Sequence, residues 1–405
     1  MTTRPEPGRP GTQAPATGNT PMLALATAGF AINFWAWALL GPLGPSLRDA
    51  LDLSVTEQAM VVAVPVIVGS LGRIPVGALT DRLGARIMFP AVSFLTILPV
   101  LYLGHFASSY PELIAGGFFL GLGGTTFAIG IPFVNSWYPP HRRGTALGIF
   151  GAGMGGTAIA AFTTVQLAEA FGSSVPFTLV AIVLAGYGVL AAVLLRDEPG
   201  RARSQVSMLG RMAVVRLRST QELSFLYAVG FGGFVAFSVY LPTYLRNAYD
   251  LTESDASLRT AGFVVLAIVA RPLGGWLSDK VHPAPVLAGC FAIVTVLAGV
   301  AALELPLIPI GTVAFLGMAA ALGGAAGATF ALVSKLAPPN QVGAVTGFVG
   351  AAGGLGGFFP PLVMGTVYTW LDDYSLGYVL LALTAAGAAA YTWFVVRARS
   401  RDVRV

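Results

Sequence analysis

Apolar residues run through this chain in long blocks, separated by short polar or charged stretches. The blocks fall at about 22–47, 56–79, 87–107, 111–137, 143–168 and 175–195. A second set falls at 222–246, 256–278, 284–304, 307–336, 342–369 and 374–396. Each is near or above the ~20 residues an α-helix needs to cross ~30 Å of hydrocarbon. Twelve spanning helices are predicted, so the fold class is an all-α membrane protein. The first block is too long for a signal-peptide core and is followed by no clear cleavage site, so it is expected to remain in the membrane.

Composition agrees. Of 405 residues, 55% are hydrophobic and only 10% charged, which excludes an ordinary soluble domain. The polar stretches divide the chain. Residues 1–20, rich in Pro, Gly and Thr, read as a disordered tail. Residues 21–195 hold a first six-helix bundle, 196–221 a linker with six arginines, 222–397 a second six-helix bundle, and 398–405 a C-terminal tail.

The net charge of +5 is read as membrane topology, and no nucleic-acid partner is expected. With both termini in the cytoplasm, inside segments hold 18 of the 23 Lys and Arg, outer loops hold three, and two lie within the membrane. That bias follows the positive-inside rule and places the chain in the inner (plasma) membrane, multi-pass, with the linker cytoplasmic. The outer three are Arg48, Arg246 and Arg259; Arg48→Lys and Arg246→Lys, in outer loops, are expected to change little.

The two halves repeat. GALTDRLG after the second helix matches GGWLSDKV after the eighth, and PPHRRGTALGIFGAG matches PPNQVGAVTGFVGAA. A repeat with the same membrane orientation relates two bundles about an axis along the membrane normal and puts a substrate site between them. The intramembrane arginines, Arg73 and Arg271, obey the repeat: they are 198 residues apart, and each lies eight residues before an aspartate, Asp81 or Asp279. A charge buried at that depth is costly and marks a functional site. With no acid nearby, the missing partner is read as an anion from outside. Asp81 with Arg82 and Arg86, and Asp279 with Lys280, are assigned to gating, since an aspartate at a helix N-terminus gains ~0.3–1 kcal/mol in one state and loses it in the other.

Absences narrow the reading further. No Walker A loop is present, so ATP does not drive the protein directly. The acids nearest the apolar blocks, including Glu57, Glu222 and Glu304, fall at predicted helix ends, which argues against carboxylate-driven proton coupling. The lone Cys290 is read as packing, and His105, His141 and His282 fall in predicted loops, so no metal site, cofactor or enzymatic activity is expected.

GALTDRLGAR resembles the loop signature of the major facilitator superfamily. Within it the chain is similar to the nitrate/nitrite porter family through GSLGRIPVG, FLYAVGFGGFVAFS, GATFALV and the glycine-rich GFVGAAGGLGGFFPP. The resemblance implies that Arg73 and Arg271 clamp the anion, and that Tyr227, Phe231 and Phe127 line its pocket. The glycine runs containing Gly153 and Gly353 are expected to keep that pocket narrow. One departure is Met154 with Gly155, standing where the family often has an asparagine, so a polar ligand is expected to be missing.

The expected function is alternating-access transport of a small inorganic anion, nitrate and/or nitrite, by a monomer working through exchange. Two guanidinium groups brought to ~8 Å at an effective dielectric of ~20 repel by about 2 kcal/mol. A bound anion cancels that repulsion and accepts from both planar forks, so the loaded carrier closes more readily than the empty one. The alternative is a proton-coupled major facilitator transporter of another anion or a small organic solute.

Overall fold

A computed structural model of the chain describes residues 18–199, 213–338 and 342–402. Most of the expected N-terminal tail, part of the linker and the last three residues lie outside the described residues. Among those described, twelve helices are long and apolar enough to cross a membrane. They are Thr20–Leu51, Val55–Leu83, Ala85–His105, Tyr110–Trp137, Ala146–Phe171 and Val175–Leu194 in the first half. In the second half they are Arg218–Tyr249, Glu253–Lys280, Pro283–Ala301, Leu307–Leu336, Ala344–Leu371 and Ser375–Ser400. They are called spans one to twelve below. An even number of crossings puts both described chain ends on one side, here called the terminal side; the other is the loop side.

Several spans are not single helices. Span one breaks at Ala38 and Leu39, span four tightens into a 3-10 turn over Gly121–Thr125, span five over Ala152–Gly155, and span eleven breaks after Gly356. Glycine has the weakest helix propensity after proline, so such runs yield where neighbours press on them. A Cβ on Gly123 would strike the Asn33 carbonyl of span one, 2.7 Å away, and one on Gly124 would strike Gly69 of span two at 2.9 Å. In lipid no hydrophobic force drives helices together, so close approach through small residues and interhelical hydrogen bonds must hold the bundle.

The spans form two six-helix bundles related by the repeat. Span one meets span seven across the interface, span two meets span eleven, and span five meets span eight. The last two contacts are repeat counterparts, and the first is its own. On the loop side polar bonds seal the interface. Ser46 N donates to Glu253 Oε1 (3.1 Å), Gln58 Nε2 to Thr243 Oγ1 (2.8 Å), and Ser257 Oγ to the Ala161 carbonyl (2.6 Å).

Candidate anion-binding site

Both arginines sit where the bundles face each other. Arg73 follows Gly72, at the point where span two changes from one helical segment to the next. It is 6% exposed. Its Nη1 donates to the Gly350 carbonyl of span eleven (2.7 Å), and its Nε faces the Gly124 carbonyl of span four (3.4 Å). Its guanidinium carbon lies 5.0 Å from the centre of the Phe127 ring. Arg271, half-buried in span eight, donates from Nη2 to the Tyr227 hydroxyl (2.9 Å) and rests Nη1 against the Met154 sulfur. Phe231 and Phe330 flank it, their ring centres 5.5 and 5.6 Å from its guanidinium carbon.

Among the described residues neither arginine has a carboxylate partner. Adjacent glycines lie beside the two: a Cβ on Gly354 would stand 3.3 Å from Arg73 Nη1, and one on Gly353 would meet the Tyr227 ring that Arg271 binds. Arg73 Nη2 and Arg271 Nε carry no hydrogen bond among the described residues. Each arginine is thus held by neutral groups while keeping a donor in hand. Aromatic faces stabilise the cations without cancelling them.

Tyr227 is the best-fixed group of the site. Fully buried, it stacks on Phe231 (centroids 4.9 Å apart, planes within 3°) and meets Phe330 edge-on at 4.8 Å. Gly353 completes its slot: a Cβ there would overlap two carbons of the Tyr227 ring. Gly153 does the same job at one remove, packing under Phe30, which stacks on Phe150 and touches Phe127. So Arg73, Arg271, Tyr227, Phe231, Phe127 and Gly353 gather at one place, and Gly153 supports it from behind. The residues expected to gate stand apart on the terminal side. Asp81 is half-buried, Arg82, Arg86, Asp279 and Lys280 are exposed, and the Lys280 ammonium lies 4.0 Å over the Trp276 ring.

With that geometry in view, the relatives are informative. The sequence profile of the Major Facilitator Superfamily matches residues 26–361, and again 223–404. Over 379 residues the chain is 48% identical to the "Probable nitrate/nitrite transporter NarK2" of Mycobacterium tuberculosis, covering 93% of this chain and 96% of that one. It is 39% identical over 364 residues to the "Nitrite extrusion protein" of Bacillus subtilis, with 90% and 91% covered. The chain belongs to the Major Facilitator Superfamily. Its fold is also that of a bacterial homologue of the human lysosomal transporter Spinster. The two superpose with a TM-score of 0.77 at 16% identity, over 95% of this chain and 98% of the other. As a facilitator it is a multi-pass membrane transporter and not an enzyme.

Two contributors escaped the sequence reading. Phe330 flanks Arg271 as Phe127 flanks Arg73, and both stand in a Thr-Phe-Ala triplet, on span ten and on span four. That shared triplet was the available signal. The Gly350 carbonyl gave none, because backbone acceptors are invisible in a side-chain pattern. Met154, where a polar ligand is expected to be missing, sets its sulfur against Arg271 Nη1.

Proposed function

We propose that this facilitator carries nitrate and nitrite by exchange, binding one anion at a time between Arg73 and Arg271. The observation that supports it most is a pair of repeat-related guanidinium groups without acidic partners among the described residues, facing across the bundle interface at the level of Tyr227. A flat oxyanion accepts from both forks and removes their repulsion, which lowers the cost of bringing the halves together. The names of the two relatives favour nitrate and nitrite among small oxyanions. The terminal side is the cytoplasm by the distribution of Lys and Arg, Asp81 and Asp279 with their basic neighbours act as the terminal-side gate, and the protein works as a monomer in the inner membrane. Proteoliposomes loaded with nitrite and challenged with external nitrate, chloride, phosphate or formate test this. Uptake confined to nitrate and nitrite supports the reading; equal counterflow by the other anions refutes it.

A further inference from the structure

The loop side carries a second, unassigned trace of the repeat. LRDALDLS at 47–54 ends span one and caps span two; LRNAYDLT at 245–252 ends span seven and caps span eight, again offset by 198. The local structures coincide. Asp52 and Asp250 stop their helices in the left-handed region, with φ of 53° and 52°. Ser54 and Thr252 then cap the next helices, each accepting from the backbone N–H three residues on. Equal caps place Arg48 and Arg246 at equal positions, four residues before the turn. They are not loop residues, as the sequence reading held, but lie in the last helical turns of their spans.

Each arginine crosses to the other bundle, to the residue that follows its own counterpart. Arg48 Nη1 donates to Asn247 Oδ1 (3.4 Å), and Arg246 Nη2 pairs with Asp49 Oδ2. Since 49 and 247 are counterparts, the two bonds are one interaction written twice about the pseudo-two-fold axis. One copy is charged and the other is not. Asn247 also donates to the Tyr374 hydroxyl (2.9 Å), which ties the neutral copy to the second bundle.

We propose that these two bonds are a reciprocal latch that sets how readily the loop side opens, and that Asn247 in place of a carboxylate keeps the latch at half its possible charge. The proposal rests on the alternating-access reading. An alternating carrier must break every bond on its closed side once per cycle, so a latch with two ion pairs slows opening and one with none leaves the seal loose. The half-charged latch lies between. Partial exposure limits the effect: Arg246 and Asp49 are 32% and 56% exposed, and such a pair shifts an equilibrium by no more than about fivefold.

The test measures opening directly and needs no substrate. Spin labels at Phe106→Cys and Leu303→Cys, exposed at the loop-side ends of opposite bundles, report the distance between them in a Cys290→Ser background. Asp49→Asn should raise the open-to-closed ratio, up to about fivefold, and Asn247→Asp should lower it by a similar factor. The double variant Asp49→Asn/Asn247→Asp moves the carboxylate to the other bundle and should restore the starting ratio. An unchanged ratio in Asp49→Asn overturns the proposal, as does a double variant as open as Asp49→Asn alone. Because the distance is read without anion, a failed latch leaves nitrate exchange intact, whereas a wrong substrate leaves the distance response intact.

Discussion

Gly353→Ala adds one methyl group and should cost the transporter much of its anion affinity. The new carbon would overlap the Tyr227 ring. Tyr227 cannot step aside freely, because Phe231 lies flat against one face and Phe330 meets it edge-on. Overpacking of this kind costs ~1–3 kcal/mol. If the ring moves, its 2.9 Å bond to Arg271 goes, and a hydrogen bond to a charged group is worth ~1.5–3 kcal/mol. The second route predicts binding at least ~10-fold weaker, since 1.4 kcal/mol is a factor of ten. Helix propensity acts the other way by up to ~1 kcal/mol, so it is the smaller effect at this site. Gly347→Ala is the control: nothing lies within 4 Å of a Cβ there, so affinity should stay at the wild-type level. Nitrate affinity of the purified variants, measured by calorimetry, reads both. The reasoning also requires coupling. In a Tyr227→Ala background the overlap is gone, so Gly353→Ala should then cost almost nothing. Costs that add to within ~0.3–0.5 kcal/mol would refute a route through Tyr227.

Three further outcomes follow from the same account. With no acid at the arginine level among the described residues, nitrate/nitrite exchange should continue when an uncoupler collapses the pH gradient and an opposing anion gradient remains; arrest would mean proton coupling. Glu222, 7% exposed, accepts from Arg218 Nε (2.8 Å), the Tyr391 hydroxyl (2.8 Å) and Arg399 Nη1 (3.0 Å), joining the start of span seven to the end of span twelve. Glu222→Gln should therefore lower thermal stability, by ~1–3 kcal/mol, and leave KM unchanged; a raised KM with unchanged stability would place it in the transport path. Cysteines placed at Arg82 and Lys280 should label from the cytoplasm, and labelling from outside only would reverse the orientation.

The hydropathy blocks disclosed the fold almost completely, because a bilayer imposes one length and one composition on every crossing. Block ends and span ends differ by a few residues, as at 56–79 against Val55–Leu83. The interruptions were not legible. Whether GLGGT or AGMG tightens depends on what presses against it, and Asn33 and Gly69 belong to other spans. The arginines were legible because charge is rare in apolar blocks and the repeat marks it twice. Their partners were less so. Gly350 is 277 residues from Arg73 and contributes only a carbonyl, while Met154 contributes a sulfur that a pattern of polar positions does not mark. Arg48 and Arg246 were misread for a related reason. A charge count assigns a residue to a side of the membrane but says nothing of what it reaches across the interface.

The central claim is that the two arginine forks hold the anion together, and replacing one fork by a point charge tests it most directly. Arg73 already spends Nη1 on the Gly350 carbonyl and Arg271 spends Nη2 on Tyr227, so each serves the protein and the anion at once. A lysine keeps the charge but has no planar fork with which to do both. Loss of one charge-assisted bond, ~1.5–3 kcal/mol, predicts nitrate affinity at least ~10-fold weaker in Arg73→Lys and, by the repeat, in Arg271→Lys. Nitrate binding to both purified variants, each confirmed folded by its thermal transition, is the measurement. Weakening by at least ~10-fold in both supports the clamp; affinity at the wild-type level in both would contradict it.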